Sequence, residues 1–388
     1  MRLPFAPKTL LISATVGLLR KRSIITRTVM LIGVATVVSA IFACSTVQAP
    51  PPPIAAAWVS TGAQCGVSTN PSPFLRNLRM LSNYNPVPGP NKVLPAGTSP
   101  VLDPYCTSMT NVYNLAAPSF KAALDSLTNT FIDTDSCTGS SPCSWGFIDQ
   151  LSTNPTGNTY IALSASLWTN GAPTYSTYGA FATQLVTDLL IANGLNPSGA
   201  ASPISVQANP DSPNLGLLAA LAHEMGHLKW WKSSLQTYPC PDPVFPGKTT
   251  IFSSIGWTSS PNTPRWRYFG VGSGDVNVDQ ITIQRLLRDL GTGNEINDLI
   301  AFYDGTWPSI FSTVSPDEDY VETYTLEQVV DAMRPASTPK SVASLQVTLL
   351  PGTPRSQPID LLYDHDYPTH SDRRDLNHKA QWVHACGL

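Results

Sequence analysis

The chain has 388 residues, 42% of them hydrophobic and only 13% charged, with a formal net charge of −3 at pH 7. That length encloses one large or two modest domains with a sizeable core. The slightly acidic balance and the lack of any basic patch or aromatic-interleaved Lys/Arg stripe leave nucleic-acid binding without an electrostatic basis.

In chain order, Arg20-Lys21-Arg22 and Arg27 precede an apolar run from Val29 to Ala43, and Val47-Gln48-Ala49 is a small-residue cleavage pattern. Residues 1–49 therefore have the layout of an export signal with an N-terminal extension, since the earlier run Leu10 to Leu19 is too short to span a bilayer. Ile41-Phe42-Ala43-Cys44 also resembles a bacterial lipobox, whose cysteine is acylated. Two destinations follow: a secreted protein, or one held in a bacterial envelope, in the periplasm or as an outer-membrane lipoprotein anchored at Cys44. With Cys44 set aside, six cysteines remain, an even number that suits disulfides in an oxidising compartment. Cys137 and Cys143 flank a turn-like loop short enough to bridge. Among the three pairings open to the other four, Cys65 with Cys106 and Cys240 with Cys386 is favoured.

Pro50 to Pro53 reads as an extended linker, and residues 50–104, rich in Pro, Asn and Ser, as irregular surface-wrapping structure. Val112, Leu115, Phe120, Leu124 and Leu127 predict one helix over 109–131. Trp145 to Ile148 and Tyr160 to Trp168 read as strands, and 178–193 as a helix. Ser212 suits a helix cap with Pro213 in the first turn. From there Leu217, Leu221, Met225 and Leu228 recur at helical spacing. Residues 240–267, dense in Pro, Ser and Thr, read as a loop excursion over a cleft. Helical patterning returns over 275–290 and 294–303. A helix over 316–333, a strand over 345–350 and a closing helix over 372–383 complete the chain. No internal repeat is evident, and the order suggests an α+β protein with a mostly helical C-terminal half.

The helix from 212 carries His223-Glu224-Met225-Gly226-His227. One turn separates the two histidines, so both imidazoles project from one face and can grip one ion. A carboxylate between them is costly to bury without a cation, and Glu224 is placed to take a proton from an attacking water. A catalytic zinc takes three protein ligands, so a third donor is needed. The acidic start of the helix at 316 is the best source: Ser315 suits its cap, Pro316 its first turn, and Glu318 and Glu322 are one turn apart. One carboxylate can bind the metal while the other accepts the second N–H of a ligating imidazole. The residues leave open which does which, and the tail histidines His365, His370, His378 and His384 are a further source. An oxyanion donor is also expected, from His370, Tyr303 or Tyr320.

His223 to His227 and Asp317 to Tyr324 together resemble the gluzincin branch of the zincin metallopeptidases. The metzincin extension is absent, because Leu228-Lys229-Trp230-Trp231 follows the motif and the next histidine is His365. The resemblance implies zinc held by His223, His227 and Glu318, with Glu322 supporting a ligand imidazole and Glu224 as general base; His370, a proton donor suited to neutral pH, is expected as a further catalytic residue on its own chemistry. It implies a zincin-like α+β domain over 105–388, with a small N-terminal sheet whose edge strand flanks the substrate cleft. Residues 160–168 are expected to be that edge. The expected function is a secreted or envelope-anchored zinc-dependent metalloendopeptidase acting on peptide or protein substrates. A zincin-like surface or binding protein without turnover and a cell-wall amidase are the alternatives.

Overall fold

The computed structural model describes residues 65, 72–81, 102–133, 146–148, 160–168, 171–179, 204–232, 239–260, 263–268, 305, 307–309, 312, 316–334, 343–349, 352, 356–368 and 375–387. All lie in one unit, Cys44–Leu388. The signal and lipobox residues 1–49, the Cys137 to Cys143 loop, Ser315 and the helices expected over 275–290 and 294–303 lie outside the described residues. So does all but the start of the one expected over 178–193.

Order begins inside the 50–104 stretch that composition marks as irregular. Ser72 accepts a hydrogen bond from the Leu75 N–H and Pro73 opens a short helix, α1, Pro73–Arg76. Strand β1, Leu78–Leu81, follows, and Phe74 and Leu78 are fully buried. Burial here overrides the loop-like composition. Cys65 is disulfide-bonded to Cys106, which ties this region to helix α2, Leu102–Leu115.

The single helix predicted over 109–131 is instead two helices and a strand. Pro118 lacks an N–H and pushes Ala117 to an extended conformation, with φ −62° and ψ 158°. The chain breaks there and restarts as α3, Pro118–Asp125. Strand β2, Asn129–Asp133, then enters the sheet, with Thr130, Phe131 and Ile132 buried. Asp125 ties the unit together, accepting from the Phe74 N–H and the Tyr113 hydroxyl.

Strands β3, Gly146–Ile148, and β4, Tyr160–Ser164, complete a four-stranded sheet in the order β1-β2-β4-β3. β1, β2 and β4 are parallel, and β3 runs antiparallel to β4. The strand predicted over 160–168 is therefore shorter, ending in a 3₁₀ turn at Ala165–Trp168, and it is internal. The edge position belongs to β3. Alternation could not separate the two, because β4 is buried on both faces at Ile161, Ala162 and Leu163.

After β5, Ile204–Asn209, comes α4, Leu215–Lys232, the helix that carries the motif. It starts two residues beyond Pro213, and Ser212 does not cap it: the Ser212 hydroxyl makes no hydrogen bond among the described residues. Asp211 instead accepts from the backbone N–H groups of Tyr175 and Ser176, drawing the helical residues 175–179 toward α4. Gly216 permits this approach, since a Cβ there would run into the Thr174 carbonyl oxygen. α4 has no wet face. Leu217, Leu218, Ala219, Ala220, Leu221 and Ala222 are all buried, as expected of a central helix covered on every side.

The loop excursion expected over 240–267 is a pair of small hairpins. β6, Cys240–Pro241, pairs with β7, Thr249–Thr250; after α5, Ser253–Gly256, β8, Trp257–Ser260, pairs with β9, Thr263–Tyr268. Phe252 and Trp257 are buried and pack into the core. Helix α6, Pro316–Met333, is almost wholly buried. A three-stranded antiparallel sheet joins β5 to β10, Ser344–Leu349, and β11, Gln357–Asp360. The chain closes with α7, Leu361–Asp366, and α8, Leu376–Trp382, which Asp375 caps. The Cys240–Cys386 disulfide staples the tail. Helix and sheet thus mix as in an α+β protein, and the disulfides belong to an oxidising compartment. Among the described residues no helix is long and apolar enough to cross a membrane.

Two polar clusters lock α6. Lys379 and Asp319, both fully buried, pair at 2.8 Å, and Trp257 donates its indole N–H to Asp319 at 2.9 Å. The Lys379 ammonium lies 3.8 Å from the centre of the Trp307 ring. Asp319→Ala strands the lysine charge and is expected to cost about 3–5 kcal/mol in chemical denaturation. Asp319→Leu combined with Lys379→Met should cost far less, because neither charge is then left alone.

The second cluster surrounds His365, whose Nε2 donates to Glu327 at 2.6 Å and whose Nδ1 donates to Asp366 at 2.9 Å; Arg334 completes it with 2.7 Å to Asp366. Burial alone would lower the His365 pKa, but the Asp366 and Glu327 hydrogen bonds and charges outweigh it and raise it to about 9. Burial pushes Asp366 up, and the His365 and Arg334 contacts bring it down to about 2. The histidine's contribution is complete below its unfolded value of about 6.5 and is lost as pH rises through about 9. The aspartate's is present above about 3.9 and is lost as pH falls through about 2. Melting temperature is therefore expected to fall between pH 6.5 and 9, and His365→Gln should flatten that slope. An equally steep decline in the variant would remove His365 as its cause.

Candidate metal centre

Positions 223 and 227 lie on one face of α4, and their ring centroids are 5.0 Å apart. A second helix must come close to complete any site there, and Gly226 makes the approach possible. A Cβ at Gly226 would stand 3.1 Å from Val321 Cα and 3.4 Å from Val321 Cβ, so the backbone of α6 rests where a larger residue's side chain would be. Val321 lies between Glu318 and Glu322 in α6. Contact at that point brings both carboxylates to the histidines.

Each imidazole has a carboxylate within 4.0 Å of both its nitrogens. His223 Nε2 lies 4.0 Å from Glu318 Oε2 and His227 Nε2 lies 3.8 Å from Glu318 Oε1. On the outer side, His223 Nδ1 is 2.7 Å from Glu322 Oε1, and His227 Nδ1 is 3.4 Å from Asp317 Oδ1. A proton on Nδ1, held by a carboxylate, leaves the Nε2 lone pair facing inward. One ligand atom from each of His223, His227 and Glu318 falls within 4.8 Å of the others. The three residues form a group able to hold a metal ion.

The electrostatics suit a cation. Glu224, Glu318 and Glu322 are each 5–7% exposed and, with Asp317, surround only two imidazoles. Burial raises the pKa of Glu224, opposed by the charges of His223 and His227. Burial likewise raises Glu318 against the same two histidines. For the histidines burial acts downward and is overcome. The Glu322 hydrogen bond and charge raise His223, while Glu318 and Asp317 lift His227 to about 10. So much negative charge out of water calls for positive charge at its centre. The donor set of two imidazole nitrogens and one carboxylate fits zinc and also suits iron.

No protein-family model matches this chain, and no curated protein or solved structure does either. The site's chemistry therefore rests on its own residues.

The acidic start of α6 is not a solvated helix end, since Glu318, Asp319 and Glu322 are all buried. Tyr320 is not at the site: its hydroxyl donates to the Gly387 carbonyl and its ring packs on Trp230, Phe252 and Trp382. His378 pairs with Asp242 at 3.1 Å and His365 with Glu327, and His384 is exposed, so none of these tail histidines joins the metal group. His370 and Tyr303 lie outside the described residues. Three residues escaped the sequence reading. Asp317 and Gly226 were inside the segments singled out, but without a partner in view neither spacing nor type marked them. Tyr178 is brought in by the 173–179 segment. Its hydroxyl pKa is pushed well above the ordinary value, by burial first and then by Glu322, Tyr175, Glu224 and Glu318. Its phenol therefore stays protonated beside the site's carboxylates.

Replacing Gly226 tests the helix contact. Gly226→Val should force α6 away and weaken metal binding roughly tenfold or more, the scale of losing a ligand's outer partner. Gly226→Ala should do less, because its single methyl, 3.1 Å from Val321 Cα, asks α6 to give by only a few tenths of an ångström and the substitution gains helix propensity. Equal affinities for Gly226→Val and the parent protein, by competition with a chromophoric chelator, would refute the role.

Proposed function

We propose that this chain is an exported zinc-dependent metalloendopeptidase of the gluzincin kind. The observation that carries the reading is the placing of α6 carboxylates against the two imidazoles: Glu318 stands 4.0 Å from the His223 Nε2 and 3.8 Å from the His227 Nε2, while Glu322 is hydrogen-bonded to the His223 Nδ1. His223, His227 and Glu318 would hold zinc, with Glu322 fixing the His223 tautomer. Bound there, zinc would supply Lewis acidity toward a scissile carbonyl and a water. Glu224 is not one of the group of three and sits one residue from His223. A buried carboxylate with an upward-shifted pKa suits a base that takes the water's proton and returns it to the leaving amine. The Tyr178 phenol, kept protonated near the same carboxylates, would be the hydrogen-bond donor to a carbonyl oxygen as charge develops there. The antiparallel edge strand β3 packs on α4, and an extended peptide can pair with its outer edge by backbone hydrogen bonds.

The test uses the full chain, purified, with metal content measured alongside digestion of denatured protein and of peptidoglycan. One equivalent of zinc and cleavage of the denatured protein are expected. Chelation should abolish the cleavage and added zinc restore it. Glu224→Gln should keep the zinc and lose about 10²–10⁴-fold in kcat/KM, the range general-base catalysis supplies. Cleavage of peptidoglycan alone would make the chain an amidase. Retained zinc with no cleavage of either substrate would make it a binding protein, and bound iron with no cleavage of either would overturn the hydrolase reading.

A further inference from the structure

Glu322 secures only one of the two histidines, and the other has a carboxylate of its own. Asp317 precedes Glu318 in α6, and its Oδ1 lies 3.4 Å from His227 Nδ1. Glu322 stands on the far side of Glu318, 2.7 Å from His223 Nδ1. One helix thus presents three carboxylates in sequence, the middle one toward the inner nitrogens and the flanking pair toward the outer ones. We propose that Asp317 is a positioning residue, which orients His227 for metal as Glu322 orients His223. The inference rests on the metal-site reading above.

An acidic residue in a first helical turn is often there for the helix dipole alone. Two observations set Asp317 apart. Its Oδ1 is closed off from solvent and makes no hydrogen bond among the described residues, although a buried carboxylate oxygen is costly without a donor. The imidazole Nδ1 of His227 lies 3.4 Å from it, and a ring movement of about 0.5 Å that also turns the N–H toward the oxygen would make an ordinary hydrogen bond. His227 itself is 6% exposed and is held from the opposite side by Glu318 at 3.8 Å. The ring therefore has a carboxylate near each of its nitrogens, Asp317 at Nδ1 and Glu318 at Nε2.

The two supports are unequal, and that inequality is measurable. His223 is already closed on Glu322, whereas His227 is held more loosely. Zinc titrations of the full chain against a competing chelator should show a roughly 10-fold rise in Kd for Asp317→Ala, toward the low end of what outer partners of metal ligands contribute. Glu322→Ala should approach 100-fold. Asp317→Asn keeps an acceptor oxygen in place and should recover most of the affinity. A dipole role alone would instead lower the melting temperature of the metal-free protein equally in Asp317→Ala and Asp317→Asn, with zinc affinity unmoved. Proton NMR of the zinc-loaded protein gives a second readout. The wild type should show two exchange-protected imidazole N–H signals, and Asp317→Ala should lose the one belonging to His227 while keeping that of His223. Wild-type protein that takes up no zinc overturns the metal-site reading and this inference with it. Wild-type uptake with Asp317→Ala inside twofold of it, and both N–H signals retained, overturns this inference alone.

Discussion

The missing side chain at Gly226 lets the backbone of α6 settle 3.1 Å from where a Cβ would stand, and that contact creates the site by carrying Glu318 and Glu322 to His223 and His227. Much of the surrounding fold serves to hold α6 in that place. Ala219, Ala220 and Ala222 keep α4 thin where it is enclosed, and the sheet β1-β2-β4-β3 supports it. On the other side of α6, the Asp319–Lys379–Trp257 cluster and the packing of Tyr320 on Phe252, Trp230 and Trp382 set the helix's rotation about its axis. A turn of α6 by one residue would carry Asp319 to the histidines and put Tyr320 where Asp319 now meets Trp257 and Lys379. The buried ion pair is most informative in this light, because such pairs contribute more to choosing one arrangement than to net stability.

The same helix carries most of the charge. Asp317, Glu318 and Glu322 face the histidines, Asp319 faces Lys379, and Glu327 faces His365. Burying that many carboxylates is tolerable only because each meets a cationic or hydrogen-bonding group. At the histidine face, carboxylates outnumber imidazoles. This imbalance separates the His223–His227–Glu318 group from the Lys379 and His365 clusters, where the charges are met within the protein. The tail is drawn into the arrangement through Lys379, His365 and the Cys240–Cys386 disulfide, so residues far from the motif in sequence brace the helix that completes it.

Legibility in the sequence followed the range of the forces involved. The bounds of α6 were readable because Pro316, the acidic first turn and the 3–4 spacing are local signals, and the helix runs Pro316–Met333 as that pattern predicts. The strand at Ser344–Leu349 and both described disulfides were readable as well. The break at Ala117-Pro118 carried a local signal that the longer apolar periodicity overrode. Strands β1 and β2 were invisible for a different reason. Thr130, Phe131 and Ile132 are buried through partners on β1 and β4, dozens of residues away, so neither strand shows the alternation of a half-wet sheet. The 160–168 segment was legible as a strand, but its place inside the sheet depended on where β3 paired.

By itself the sequence determined the pieces of the site. Four-residue spacing puts His223 and His227 on one face with Glu224 beside them, and the same spacing puts Glu318 and Glu322 on another helix, because helical geometry is a property of the local backbone. Only the tertiary structure decided which carboxylate faces the inner nitrogens, that Asp317 stands behind His227, that Tyr178 joins the cluster and that Tyr320 does not. Those outcomes depend on the distance and rotation between α4 and α6, fixed by Gly226 against Val321 and by Asp319 against Lys379 across 60 residues of chain. No local pattern encodes a rotation between two helices; packing and buried charge do.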